Sequence, residues 1–119
     1  MGFTSVKVWV ANPAKPAKVV KVELLVDTGA MYSIVPRRLL EQLGIRPEAP
    51  KSFTLATGDR VRRDVGGAVY KFDGVVGYAS VIFGEKGDQP ILGVTALEDM
   101  GLQVDPVSKK LKSAELFLL

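Results

Sequence analysis

The sequence predicts a mainly β protein with one or two short helices, organised as a single domain over residues 1–119. Three observations carry this. Short apolar or alternating runs recur along the chain, each bounded by Gly, Pro, Asn or Asp, which is the pattern of strands joined by turns. Only two stretches carry helix signals, and both are short. Finally, 119 residues suit one domain, and the chain has no long-period repeat, low-complexity tract or linker. A chain of this length buries roughly 65% of its unfolded surface, enough for a real core.

Taken in order, Phe3 to Val10 alternates polar and apolar residues and reads as a half-buried strand. Asn12-Pro13-Ala14-Lys15-Pro16 is a loop, because proline lacks a donor and fixes φ. Val19 to Val26 is the return strand of a hairpin and ends at Asp27. Ile34-Val35-Pro36 is a further apolar strand. Pro36 opens a helix through Arg37, Arg38, Leu39, Leu40, Glu41, Gln42 and Leu43, and Gly44 stops it. Leu39, Leu40 and Leu43 share one face and face the core. Ile45 to Pro50 reads as loop.

Phe53 to Ala56 and Val61 to Val65 flank the turn Thr57-Gly58-Asp59-Arg60, a hairpin signal. Gly66-Gly67 suggests a bulge or kink, after which Ala68 to Phe72 resumes the strand. Asp73-Gly74 is a strong turn signal. Val75 to Phe83 is the next strand and Gly84 to Asp88 a polar turn. Thr95-Ala96-Leu97-Glu98 has capping-box spacing, so a short helix is expected to start at Thr95 and stop before Gly101. Leu102 to Val104, the turn Asp105-Pro106 and an apolar strand from Leu111 to Leu119 complete the chain. A bare apolar edge invites aggregation, so this last strand is expected to be covered.

Composition excludes several chemistries. The chain has no cysteine and no histidine, which removes disulfides, thiolate catalysis, Ser-His and Cys-His catalysis and the commonest metal ligand. Acid–base chemistry must then use carboxylates, lysine or tyrosine. Hydrophobic content of 47% with 24% charge is ordinary for a soluble globule. Met1 to Val10 lacks a charged start and an apolar h-region, and no apolar run approaches a membrane span. A cytoplasmic protein with no membrane partner is expected. A net charge of +3 does not by itself imply nucleic acid, and no nucleic-acid partner is expected because interleaved aromatics and a base-reading motif are missing.

The chemistry centres on Lys21-Val22-Glu23-Leu24-Leu25-Val26-Asp27-Thr28-Gly29-Ala30. A buried apolar strand leads straight into an acid, and carboxylates are rarely set against a core unless paired or functional. Thr28 offers a hydroxyl to nearby backbone and Gly29 permits close backbone approach. Asp27-Thr28-Gly29-Ala30 with its flanks resembles the active-site loop of retropepsin-like, single-domain aspartic proteases. That family's pattern continues to a Ser or Thr, two branched apolar residues and often a proline, matched by Ser33-Ile34-Val35-Pro36. Its second apolar-apolar-Gly motif, before a short helix, is matched by Ile91-Leu92-Gly93. Its flap is matched by Leu55-Ala56-Thr57-Gly58-Asp59. The resemblance spans about Val19 to Leu111.

The resemblance implies a closed acid-protease β-barrel and a peptide or protein substrate, with no metal and no cofactor. Aspartic proteolysis uses two carboxylates that share a proton, since two adjacent negative charges cannot both ionise cheaply. The chain has a single Asp-Thr-Gly, so a second copy of the chain supplies the partner acid in a two-fold homodimer. Thr28 of each subunit then bonds the opposite loop, and Gly29 and Ala30 lie beneath the substrate. Ala56, Thr57, Gly58 and Asp59 form the flap. Viral members often carry acids where Met31 and Tyr32 stand here, have more glycine in the flap, and follow the second glycine with an arginine that pairs across the dimer. Here Val94-Thr95 follow Gly93, so apolar contacts and terminal strands are expected to hold the dimer.

Asp59, Asp73, Asp88 and Asp99 read as solvated acids of turns and a helix surface, and Lys109, Lys110 and Lys112 as a solvated turn. Arg60, Arg62 and Arg63 read as an exposed hairpin face, with attraction of acidic substrates as the less favoured reading. A homodimeric aspartic endopeptidase is the function expected. The alternative is a non-catalytic peptide-binding or assembly module on the same fold.

Overall fold

A computed structural model describes residues 4–118. The first hairpin joins β1 (Thr4–Asn12) to β2 (Lys15–Val26); Phe3, expected in the first strand, lies outside the described residues. The expected five-residue loop is only a turn at Pro13-Ala14. Asn12 Oδ1 accepts the Ala14 N–H at 2.9 Å, a side-chain substitute for a backbone turn. The register slips between Ala11 and Asn12. Pro16 is therefore tolerated in the strand, since its missing donor falls at an irregularity.

β3 (Ser33–Pro36) runs into α1 (Arg37–Gln42), with Pro36 just before the helix rather than inside it. Leu40 and Leu43 are buried and Leu39 packs against the core. Gly44 at φ +77° ends the helix, as only glycine does cheaply. The expected loop from Ile45 gives way sooner than predicted to β4 (Ala49–Thr54), which pairs antiparallel with β5 (Arg60–Phe72). Pro50 is accepted because β4 is an edge strand.

No bulge occurs at Gly66-Gly67: β5 pairs with β6 (Val75–Gly84) in unbroken register through both residues. These glycines serve packing instead. A Cβ at Gly66 would lie 2.9 Å from the Arg46 carbonyl oxygen, and one at Gly67 would meet the Tyr78 hydroxyl. The β5–β6 turn places Asp73 at φ +48° and Gly74 at φ +84°, the double left-handed geometry whose twist suits a hairpin.

β7 (Ile91–Leu92) leads into α2 (Val94–Met100), followed by β8 (Leu102–Val104) paired with β9 (Leu111–Ser113). The capping-box expectation fails. Gly93 occupies the N-cap position, and Thr95 spends its hydroxyl on Met31 O at 2.8 Å. The last strand is also shorter than expected. Beyond Ser113 the described chain is irregular, and Leu116, Phe117 and Leu118 are exposed rather than covered in the single chain; Leu119 lies outside the described residues.

The larger sheet runs β1-β2-β7-β3-β6-β5-β4, and β5 also pairs with β1 through Val69, Val10 and their neighbours. Six strands thus form a ring, with β4 branching from the other half of β5. The expected closed barrel is realised as this ring-like sheet in a mainly β chain. Its interior holds one core that includes Val8, Val10, Leu24, Val35, Tyr70, Phe83 and Leu92, sealed by α2 through Ala96, Leu97 and Met100.

Candidate active site

Two parallel strand ends set the site. Leu25 and Val26 of β2 lie beside Ile91 and Leu92 of β7, and the Asp27 N–H donates to Leu92 O at 3.0 Å. The apolar run that buries Leu24 and Val26 therefore delivers Asp27 at its exposed end. The chain then turns tightly, with the Ala30 N–H donating to Asp27 O at 3.2 Å. The Gly29 N–H donates to Asp27 Oδ1 at 2.9 Å, which orients the carboxyl. A Cβ on Gly29 would stand 3.3 Å from that same oxygen, so glycine keeps the backbone within bonding reach.

The two apolar-Gly motifs are stitched together under this loop. The Gly93 N–H donates to Ser33 Oγ at 2.9 Å, and Ser33 is fully buried. The Val94 N–H donates to Ala30 O at 2.8 Å and the Thr95 N–H to Met31 O at 3.1 Å. A Cβ on Gly93 would lie 2.6 Å from the Tyr32 carbonyl oxygen, so this crossing requires glycine. Beside Ser33, the buried Tyr70 hydroxyl donates to Ser80 O at 3.0 Å. Burial pushes the Tyr70 phenol well above its ordinary range, partly opposed by the Ser33 hydroxyl.

A cavity of about 630 Å³ opens over Asp27. Its floor is Asp27, Gly29, Ala30, Ile34, Ile82 and Ile91, and Met31 and Tyr32 flank it. Its opposite wall is the β4–β5 hairpin, through Phe53, Thr54, Leu55, Ala56 and Val61. Of the residues expected in the flap, Ala56 lines this cavity, whereas Thr57, Gly58 and Asp59 form the tip beyond it. The tip is a compact turn: Leu55 N–H donates to Asp59 O at 2.7 Å, and Gly58 N–H to Leu55 O at 2.9 Å. Gly58 sits at φ +92°, a conformation natural only to glycine. Ile91 lines the cavity, and Leu92 and Gly93 are buried behind it. Thr28 faces elsewhere, into a separate depression of about 500 Å³ beside Val94, Leu97, Leu102 and Val104.

Charged residues assigned to solvent prove to be built into the site. Arg63 grips Asp88 with two bonds, Nε to Oδ2 at 2.7 Å and Nη2 to Oδ1 at 2.9 Å, and both residues line the cavity. The guanidinium holds the Asp88 carboxyl below the usual carboxylate range. Asp99 is exposed on the surface of α2, as expected, and also accepts the Tyr78 N–H. Asp59 and Asp73 are exposed, as expected. Behind the hairpin, Arg37 joins Asp64 at 2.6 Å and Glu85 at 2.8 Å. Lys51 Nζ donates to the Tyr32 hydroxyl at 3.2 Å, and the Tyr32 ring meets Phe53 edge-on at 6.1 Å. Strand alternation puts Lys51, Phe53, Val61 and Arg63 on one face, and that period-2 signal could have marked them as cleft residues.

Among the described residues no group of three or more acids is placed to hold a metal ion, and no helix is long and apolar enough to cross a membrane. What the arrangement offers chemically is a carboxyl with one backbone donor, at the edge of a mostly apolar cleft of about 630 Å³. No curated protein matches the chain. The model of a family described as "gag-polyprotein putative aspartyl protease" matches residues 17–99. That span holds Asp27-Thr28-Gly29, the hairpin and Ile91-Leu92-Gly93, and with the ring-like sheet around them the chain belongs to this retropepsin-like aspartyl protease family.

Proposed function

We propose that the protein is a homodimeric aspartic endopeptidase, its whole length one protease domain. The observation that carries this reading is the position of Asp27: its carboxyl lies at the exposed edge of the cleft, fixed by Gly29, with the β4–β5 hairpin opposite. One chain holds one such acid. A second copy related by two-fold symmetry brings a second Asp27 against the first, and the pair shares a proton. The ionised Asp27 takes a proton from a water molecule, whose oxygen attacks the peptide carbonyl. The protonated Asp27 donates to the carbonyl oxygen. As the tetrahedral intermediate collapses, the C–N bond breaks, the leaving nitrogen is protonated by the acid that had accepted the water proton, and the other Asp27 recovers a proton from one hydroxyl of the intermediate. Thr28, exposed beside the apolar depression of α2 and β8, bonds the partner's loop and keeps the two acids coplanar. The hairpin acts as the flap, with Ala56 against the substrate and Thr57, Gly58 and Asp59 as its tip, excluding water when closed. The substrate is a peptide or protein, and the mechanism uses no metal or cofactor.

The test is incubation of the purified protein with a mixed peptide library from acid to neutral pH, with and without a transition-state-mimicking inhibitor, beside Asp27→Asn. Inhibitor-sensitive cleavage that falls by orders of magnitude in Asp27→Asn is expected. Binding of peptides without cleavage at any pH would instead establish the non-catalytic module.

A further inference from the structure

The cleft-facing side of the β4–β5 hairpin carries two cations directly opposite each other. Lys51 pairs across the strands with Arg63, and the next same-face pair toward the turn is Phe53 with Val61. Phe53, Val61 and Arg63 line the Asp27 cavity, as does Tyr32, to which Lys51 donates. Like charges set directly opposite weaken a sheet, so the arrangement calls for a balancing acid. Arg63 has Asp88, while the partner of Lys51 is the neutral Tyr32 hydroxyl. Glu85, which also acts on Arg63, is held by Arg37. Within this cross-strand pair, two cations therefore face one acid, and among the described residues Lys51 has no carboxylate partner.

Arg63 also retains donors. Its bonds to Asp88 and to Arg62 O use Nε, Nη2 and Nη1 once each, and a guanidinium has five N–H groups. The same fold already shows an arginine shared by two acids, since Arg37 Nη2 reaches both Asp64 and Glu85. We propose that the Lys51–Arg63 end of the cleft receives an acidic side chain of the bound peptide, which makes Lys51 and Arg63 specificity-determining residues. This rests on the reading of the cleft as a peptide site. The peptide carboxylate accepts from Lys51 Nζ and from the remaining guanidinium N–H groups, while Phe53 and Val61 pack its apolar stem. A glutamate is bound in preference to its neutral isostere glutamine, because the bonds formed are charge-assisted.

The experiment is selection of a randomised displayed peptide library on immobilised Asp27→Asn protein. Recovered peptides are then remeasured with Glu replaced by Gln, on that protein and on its Lys51→Gln and Arg63→Gln derivatives. The expected result is enrichment of acids at a fixed peptide position, about a tenfold loss for Glu→Gln in the peptide, and a marked reduction of that loss in each derivative. Lys51 is exposed, so its substitution leaves the fold intact and the comparison valid even if Arg63→Gln fails to fold. Recovery of no peptides, enrichment of apolar or basic residues, or a Glu–Gln difference unchanged in Lys51→Gln overturns the proposal. Cleavage of the same peptides by the wild type is scored separately. Acid-selective binding without hydrolysis overturns the enzyme reading and leaves this inference standing.

Discussion

Removing one hydroxyl, by Ser33→Ala, breaks the bond that ties β7 to the strand after the catalytic loop. Ser33 Oγ accepts the Gly93 N–H at 2.9 Å, and both residues are buried. Alanine fits the space but leaves that N–H without an acceptor. A buried donor left unpaired costs about 1–3 kcal/mol. For 119 residues the unfolding entropy at the midpoint is about 250 cal/mol/K, so Tm is expected to fall by about 4–12 °C. The neighbouring bonds from Asp27, Val94 and Thr95 remain, so the loop shifts rather than dissolves. The assay is thermal and urea unfolding at a fixed protein concentration, since dimerisation would make Tm concentration-dependent, together with peptide cleavage. A Tm change under about 1 °C with an unchanged urea midpoint would show that the Ser33 hydroxyl does not join the two motifs.

Asp27→Asn is expected to stay folded, because the amide matches the acid in size, and to dimerise as well as the wild type or better as pH rises, because it removes repulsion between facing carboxylates. Dimer dissociation constants from sedimentation at acid and alkaline pH check this, and a wild type that stays monomeric yet active at high dilution would refute the dimer. Asp88 has its folded-state pKa lowered by Arg63, so its contribution to stability is present above the ordinary carboxylate range and is lost as pH falls through the lowered value. Urea midpoints of Asp88→Asn should accordingly lie below wild type at pH 7 and converge with it as pH falls below the ordinary carboxylate range. The backbone of Leu55 to Asp59 should exchange hydrogen quickly and slow when a peptide analogue binds. Equal, strong protection in both states would count against a flap.

The residues that define the fold were legible because their signals are local. Alternation in Val6 to Val10, the Asp73-Gly74 turn, the leucine face of α1 and the position of Gly58 depend on neighbours a few places away. The Asp27 loop was legible for a related reason: the strand, acid, hydroxyl and glycine are contiguous. The misreadings share the opposite cause. Gly66 and Gly67 looked like strand breakers, but their lack of a side chain answers to Arg46 O and the Tyr78 hydroxyl, set by neighbouring elements. Thr95 and Glu98 had the spacing of a cap, yet Met31 O competes for the Thr95 hydroxyl from 64 positions away. Pro16 and Pro50 read as loop because proline cannot donate, whereas an irregular register and an outer edge make that loss harmless.

The sequence by itself determined the strand-rich class, the acid at the end of a buried strand and the exclusion of histidine and cysteine chemistry. Tertiary structure alone decided that Arg63 pairs with Asp88 at the cleft wall. Arg63 and Asp88 are 25 positions apart and sit in segments that read as solvated turn and hairpin. They meet because β5 pairs with β6 and the β6–β7 turn folds back beside it. Periodicity reports which face of an element is buried, and a charge pair at a cavity wall depends on which elements are brought together. That is set by burial of the apolar faces of all the strands at once.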